Sequence, residues 1–308
     1  MTSINDQLTI NEVGLRDGLQ NQAVMVSCQD KVRLASLLVA AGLTHIEATS
    51  FVSPKAVPQM ADADELFALL PEPQRIRYSA LVPNPRGLAR AMASGVREIA
   101  VVLSATETMN QRNINMGLAQ ASSVSIETVR SARNHGLRAK AYLAVAFECP
   151  FEGPVVADHV FGLAHSLMEA GADELVIADT IGAAAPRAVA DMMSRCVCAF
   201  GHERVSIHLH DTRGFALANA WAAIQAGVRK FDSSLGGLGG CPFAPGAAGN
   251  LATEDLVLMA GQCGLRTGIS MTALRQAIAL AEELTQRKLG GRSSAWLDKQ
   301  AMRQALPA

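Results

Sequence analysis

The chain has 308 residues, 49% of them hydrophobic and 18% charged, with a formal net charge of −1 at pH 7. That balance supports a large buried core and leaves no basic run with which to hold nucleic acid or an anionic membrane surface. No apolar stretch approaches the roughly 18 residues of a bilayer span. The opening MTSINDQLTINEVG lacks the marks of a signal or transit peptide, and the six cysteines contain no CxxC pair, so a reducing, cytoplasmic setting is expected.

Taken in order, the chain repeats one unit. Short strand-like runs are predicted at Leu8–Val13, Thr44–Thr49, Ile76–Val82, Glu98–Ser104, Ala139–Phe147, Glu174–Ala178, Arg204–Leu209 and Val228–Asp232. Apolar-periodic helices follow them at 29–41, 60–70, 86–94, 123–135, 156–170, 186–200, 216–226 and 254–262. Glycines at 42, 95, 136, 171 and 227 close helices before the next strand, with Gly201 and Gly264 in similar places, as left-handed C-caps do. Linkers from helix to strand are short, whereas several linkers from strand to helix are long and polar. Eight such units argue for an α/β fold, a (β/α)8 TIM barrel over residues 1–270. The rival, an open doubly wound sheet, would call for a phosphate-cradling glycine motif, and the first turn, GLRDGLQNQ, is not GxGxxG. The tail, Met271–Ala308, reads as an amphipathic helix and a short second segment packed on the barrel or a neighbouring subunit, with no second domain.

In a barrel the active site lies at the C-terminal strand ends. Those ends carry Arg16 and Asp17, Glu47, Asp179, His208 and His210, and Asp211. His208 and His210 are two apart in a strand, so both rings face the same side. With Asp17 they form a partial metal-ligand set, completed by water, substrate oxygen or the Asn250 amide. Such a set suits Mg²⁺, Mn²⁺, Co²⁺ or Zn²⁺. An isolated HxH is more often a buried, hydrogen-bonded pair; its coincidence with Asp17 favours the metal. Arg16 beside a cation calls for anionic charge developing between them, as an oxyanion or carboxylate supplies. Asp179 and Asp211 are candidate ligands, bases or orienters of the histidines, with a structural role favoured for Asp211. The other five histidines (45, 135, 159, 165, 202) are expected at helix or turn positions. After the last strand, the glycine-dense stretch Gly237–Asn250 carries Cys241, a thiol suited to donating a proton beneath a closing lid.

Together, NEVGLRDGLQNQ, IEATSFVSPKAVPQMAD, DTIG, HLHDTRG and DSSLGGLGGCPFAPGAAGNLATEDLV resemble the 3-hydroxy-3-methylglutaryl-CoA lyases, over about Leu8 to Thr267. The related condensing synthases share the barrel and HxH but lack the cysteine loop. The resemblance implies retro-Claisen cleavage of an acyl-CoA to acetyl-CoA and a keto acid. It implies Asp17, His208 and His210 as metal ligands, with Asn250 a fourth or water-bridged one. It makes Arg16 the stabiliser of the enolate oxygen, Glu47 and Asp179 its orienters and aids to proton transfer, and Cys241 the proton donor. The base stays open among Asp179, His208 and a metal-bound hydroxide. Substrate contacts are expected from Arg16, Gln20 and Arg213, the last standing where the family commonly has a tyrosine. A divalent ion, Mg²⁺ or Mn²⁺ first and Zn²⁺ or Co²⁺ next, and a homodimer are expected. The alternative acyl groups are citramalyl and longer branched 3-hydroxyglutaryl thioesters, and a condensing synthase is the weaker alternative.

Overall fold

The computed structural model describes residues 6–240 and 249–305, with the side chains of 301, 302, 304 and 305 left out of account. Alternating apolar strands and amphipathic helices bury one another only if the sheet is covered on its outer face and filled within. The strands β1 (Thr9–Glu12), β2 (His45–Ser50), β3 (Arg77–Leu81), β4 (Glu98–Ser104), β5 (Arg138–Ala144), β8 (Glu174–Asp179), β9 (Val205–Leu209) and β10 (Lys230–Ser233) close into one barrel. Every barrel pairing is parallel, and β10 joins β1 with Asp232 beside Asn11. The remaining pair, β6 (Glu148–Cys149) and β7 (Gly153–Pro154), is a small antiparallel hairpin.

The outer layer contains α1 (Cys28–Ala40), α2 (Ala63–Leu69), α3 (Pro85–Ala93), α4 (Glu107–Ile114), α5 (Leu118–Asn134), α6 (Ala157–Glu169), α7 (Pro186–Phe200), α8 (Ala216–Gln225) and α9 (Thr253–Gln262). All seven glycines expected as helix stops have positive φ. The long linker after β4 holds the extra helix α4, hidden from the sequence by its polar composition. His45 opens β2, so the expectation of a helix or turn position fails for it. The tail forms α10 (Met271–Thr285), which packs along α1, and α11 (Ser294–Ala305). The turn between them reaches the C-terminal strand ends. There Glu254 accepts from the backbone of Gly291, Asp255 from Arg292 and Ser293, and Asp211 from the Arg292 side chain. No helix among the described residues is long and apolar enough to cross a membrane.

Inside the barrel the filling is layered. Ala100, Tyr142 and Val176 form an apolar layer. Beneath it lies a charged floor: Lys140 meets Glu98 at 3.0 Å, and Lys230 meets Glu174 at 2.9 Å. Glu174 also accepts from the Ser206 hydroxyl. Buried charges persist only when paired, and both pairs of this floor are within ion-pair distance. Above the apolar layer the lumen opens to the site.

Candidate metal and acyl site

β1 ends in a wide turn, Gly14–Gly18, wound as a single π-helical turn. It turns Arg16 and Asp17 back over the barrel mouth. The turn is bracketed by Glu12, fully buried, whose carboxylate accepts from the backbone N–H of Gly14 and Leu235 and from the Thr253 hydroxyl. The side chain that sets the position of Arg16 is thus also bonded to the root of the glycine-dense loop. Burial pushes the Glu12 carboxyl up to about 7, against the pull of its three donors.

Arg16 is 6% exposed. Its guanidinium meets Glu47 at 2.6 Å and Asp17 at 2.6 Å. Burial opposes its charge, and the two carboxylates more than restore it. Glu47 stands just before a register shift in β2, between Glu47 and Thr49, and is wholly buried. Its second oxygen, Oε1, has no hydrogen-bond partner among the described residues. Burial raises the Glu47 carboxyl, with Arg16 opposing.

Across the mouth, His208 and His210 face the same side, as the strand period requires, with ring centroids 5.2 Å apart and Nε2 atoms 3.2 Å apart. Leu209 between them turns into the core. Asp17, His208 and His210 bring one ligand atom each to within 4.8 Å of one another. Asn250 closes the group: its amide nitrogen donates to Asp17 Oδ2 at 2.8 Å, while its buried Oδ1 has no partner among the described residues. Burial works to raise the Asp17 carboxyl, but Arg16 and the two histidines hold it down at about 2. Burial and the neighbouring His208 lower His210 to about 4.

These atoms fit a divalent cation. Two ligands about 2.1 Å from one ion and at right angles to each other lie about 3 Å apart, close to the spacing of the two Nε2 atoms. A carboxylate kept ionised, a neutral imidazole and an orphaned amide oxygen supply the lone pairs. Gln20 joins the group by donating to Asp17 Oδ1 at 3.1 Å.

Other expected site residues are placed differently. Asp179 does not orient Arg16; its two oxygens accept the backbone N–H groups of Ala183 and Ala184. In β8, Val176 and Ala178 fill the lumen side, so alternation turns Asp179 outward into the loop that follows. Burial pushes its carboxyl up to about 6, despite those two donors. Arg213 is half exposed and pairs with Glu148 at 2.8 Å, away from the cavity lining. Asp211 receives Ala216 N–H and Arg292, the structural employment favoured for it. Cys241 lies outside the described residues. The two stems of its loop meet closely, because a Cβ at Gly249 would run into the Gly237 carbonyl oxygen.

Three groups at the site went unrecognised in the sequence: Asp232, Tyr142 and Asn11. Asp232 accepts from His208 Nδ1 at 3.1 Å, Tyr142 OH at 2.7 Å and Asn11 Nδ2 at 2.8 Å. The available signal was a carboxylate on the same strand face as the lumen, one strand from the HxH. The lumen above them is a cavity of ≈ 410 Å³. Arg16, Asp17 and the two histidines form one polar edge, while Leu81, Val102, Met109 and Val124 help form an apolar wall.

A closed parallel barrel with a cation-ligand set and a buried arginine at its C-terminal mouth defines a metal-site TIM-barrel protein. The chain belongs to the HMGL-like family, whose model matches residues 7–280. It is 41% identical over 93% of its length to hydroxymethylglutaryl-CoA lyase YngG of Bacillus subtilis, covering 96% of that protein. It is also 41% identical to a 3-hydroxy-3-isohexenylglutaryl-CoA/hydroxymethylglutaryl-CoA lyase of Pseudomonas aeruginosa, covering 86% of this chain and 89% of that one. The crystal structure of a hydroxymethylglutaryl-CoA lyase from Pseudomonas aeruginosa superposes with a TM-score of 0.92 at 38% identity, over 96% of this chain and 99% of that one.

Proposed function

We propose that this protein is a divalent-metal-dependent carbon–carbon lyase that cleaves 3-hydroxy-3-methylglutaryl-CoA, or a close analogue, to acetyl-CoA and acetoacetate. The observation that carries the reading is the buried Arg16 guanidinium set beside the Asp17, His208 and His210 cluster at one edge of an otherwise apolar cavity. Mg²⁺ or Mn²⁺ suits this mixed oxygen and nitrogen set better than a thiolate-seeking ion. When bound by Asp17, His208, His210 and Asn250, such an ion lowers the pKa of the substrate's tertiary hydroxyl.

The chain's own groups do the rest. The hydroxyl proton leaves to the base, the electron pair it leaves on oxygen forms the carbonyl of the new ketone, and the C2–C3 bonding pair moves toward the thioester carbonyl. The charge that arrives on the thioester oxygen meets Arg16, which Glu47 and Asp17 already hold in place, so little reorganisation is needed. The Cys241 thiol protonates the carbanion to complete acetyl-CoA. With His208 engaged as a ligand and bonded to Asp232, the candidate for taking the hydroxyl proton is Asp179, whose carboxyl burial holds near 6, and an Asp179→Asn variant tests it. If Asp179 accepts the proton, directly or through a water, that variant loses the acid limb of the kcat/KM profile.

A panel of acyl-CoA thioesters tests the reading. Release of acetyl-CoA from the 3-hydroxy-3-methylglutaryl thioester supports it. Turnover confined to citramalyl-CoA moves the acyl group while keeping the chemistry. Free CoA formed only from acetyl-CoA plus a 2-keto acid would identify a condensing synthase and refute cleavage as the role.

A further inference from the structure

Asp232 sits on β10 between Phe231, which packs into the core, and Ser233. Strand alternation turns it into the lumen, where it is 2% exposed. It lies in register with Asn11 on one neighbour and with His208 on the other. A carboxylate so buried must have its lone pairs occupied. Oδ1 accepts from Asn11 Nδ2, and Oδ2 accepts from Tyr142 OH and His208 Nδ1.

That arrangement has a consequence for the ring. This carboxylate is an acceptor toward Asn11 and Tyr142 alike, and as an acceptor toward the ring too it requires the nitrogen of His208 that faces it to carry the hydrogen. In the neutral imidazole the lone pair then resides on Nε2, the atom 3.2 Å from His210 Nε2 and on the side of Asp17. The two aspartates first considered as orienters of the histidines have their carboxylates bonded elsewhere, Asp179 to backbone N–H groups and Asp211 to Arg292. Asn11 and Tyr142 approach Asp232 from β1 and β5, so the carboxylate is gripped from sides other than that of the ring it orients.

We propose that Asp232 is a positioning residue of the metal site, holding His208 as the Nδ1–H tautomer with Nε2 presented to the ion. The proposal rests on the reading of Asp17, His208 and His210 as ligands. A carboxylate behind a ligating histidine fixes ring and tautomer and strengthens the donor, and its loss weakens metal binding by 10–100-fold as a rule.

The test uses the full chain in two independent measurements. In metal-free protein labelled with ¹⁵N-histidine, at a pH where the rings are neutral, long-range proton–nitrogen correlation reads the tautomer of His208, assigned by comparison with His208→Gln. The Nδ1–H form should dominate in wild type and give way to a mixture in Asp232→Asn. A dominant Nε2–H form in wild type would overturn the proposal, and this needs no variant at Asp232 to fold. In Mn²⁺ titrations, Asp232→Asn should bind 10–100-fold more weakly, while Tyr142→Phe, which leaves the carboxylate, should stay within about threefold of wild type. An Asp232→Asn variant that melts earlier yet keeps both tautomer and affinity marks Asp232 as a barrel strut only and refutes it. Wild-type protein that binds no Mn²⁺ defeats the ligand reading instead, and is thereby told apart from failure of the tautomer.

Discussion

The Glu12 bracket predicts an unusual gain. Its carboxylate has no access to solvent and accepts three hydrogen bonds, yet burial holds its pKa at about 7 against a reference of 4.5. In the unfolded chain the proton leaves near 4.5, while the folded protein keeps it until about 7. Between those values the unfolded state binds fewer protons, so stability is fully present below 4.5 and falls as pH rises through 7. At about 1.4 kcal/mol for each pH unit of that gap, the loss amounts to about 3 kcal/mol by pH 8. Glutamine can replace the carboxylate and still serve its three present donors, with one amide hydrogen of its own left without an acceptor, a cost that does not change with pH. Its Oε1 accepts from Gly14 and Leu235, and its amide donates to Thr253, whose hydroxyl can turn to Ser233 Oγ, 2.7 Å away. The stability of Glu12→Gln relative to wild type should therefore rise by about 3 kcal/mol between pH 4.5 and pH 8. Urea unfolding of both proteins, metal-free, at half-unit steps from pH 4.5 to 8 measures the difference. Parallel curves at every pH, or a deficit in the variant that widens with pH, would refute the reasoning.

Arg16→Met should lower kcat by roughly 10²–10³-fold with a smaller effect on KM, because its charge is needed mainly as the thioester oxygen becomes anionic; steady-state kinetics separate the two. Cys241→Ala should abolish most turnover and leave Mn²⁺ affinity near wild type by titration, and full activity would remove the thiol from the reaction. Chelation should stop cleavage and lower Tm, with both restored by Mn²⁺; at a hundred times Kd the ion adds about 2.7 kcal/mol of stability. Gly182, at φ 65°, places its Cα against the His210 carbonyl and Thr212, so that an added Cβ would lie 2.8 Å from each. Gly182→Ala should cost about 1–3 kcal/mol and weaken Mn²⁺ binding by moving the end of β9, as thermal melts and titration would reveal.

The barrel was legible because its signals are local. Helix-stopping glycines recur before strands, and each apolar run stands where one strand must lie. The candidate cation cluster was legible for a similar reason, since HxH in a strand fixes two rings on one face whatever the partners. What stayed hidden depends on contacts between distant segments. Asp232 looks like any polar residue ending an apolar run until β9 and β1 flank it. Asp179 reads as a strand-end acid, but its side of the strand, and so its attachment to Ala183 and Ala184, follows from a period counted in the folded sheet. Arg213 beside the HxH suggested a substrate contact, and only the hairpin holding Glu148 accounts for where its charge goes.

The seam between β1 and β10 has a kinetic meaning. Asn11 reaches Asp232, Asp17 reaches Asn250 and Glu12 reaches Thr253 across 221, 233 and 241 residues of sequence. Contacts of such long span form late, since closing so large a loop is entropically costly before any contact rewards it. On the proposed function, cation affinity is therefore a property of the completed circle: a chain emerging from the ribosome has neither Asn250 nor the last strand with which to trap an ion. The acquisition of Mn²⁺ during refolding would report the moment at which the ring shuts, a step that far-ultraviolet signals from the helices precede.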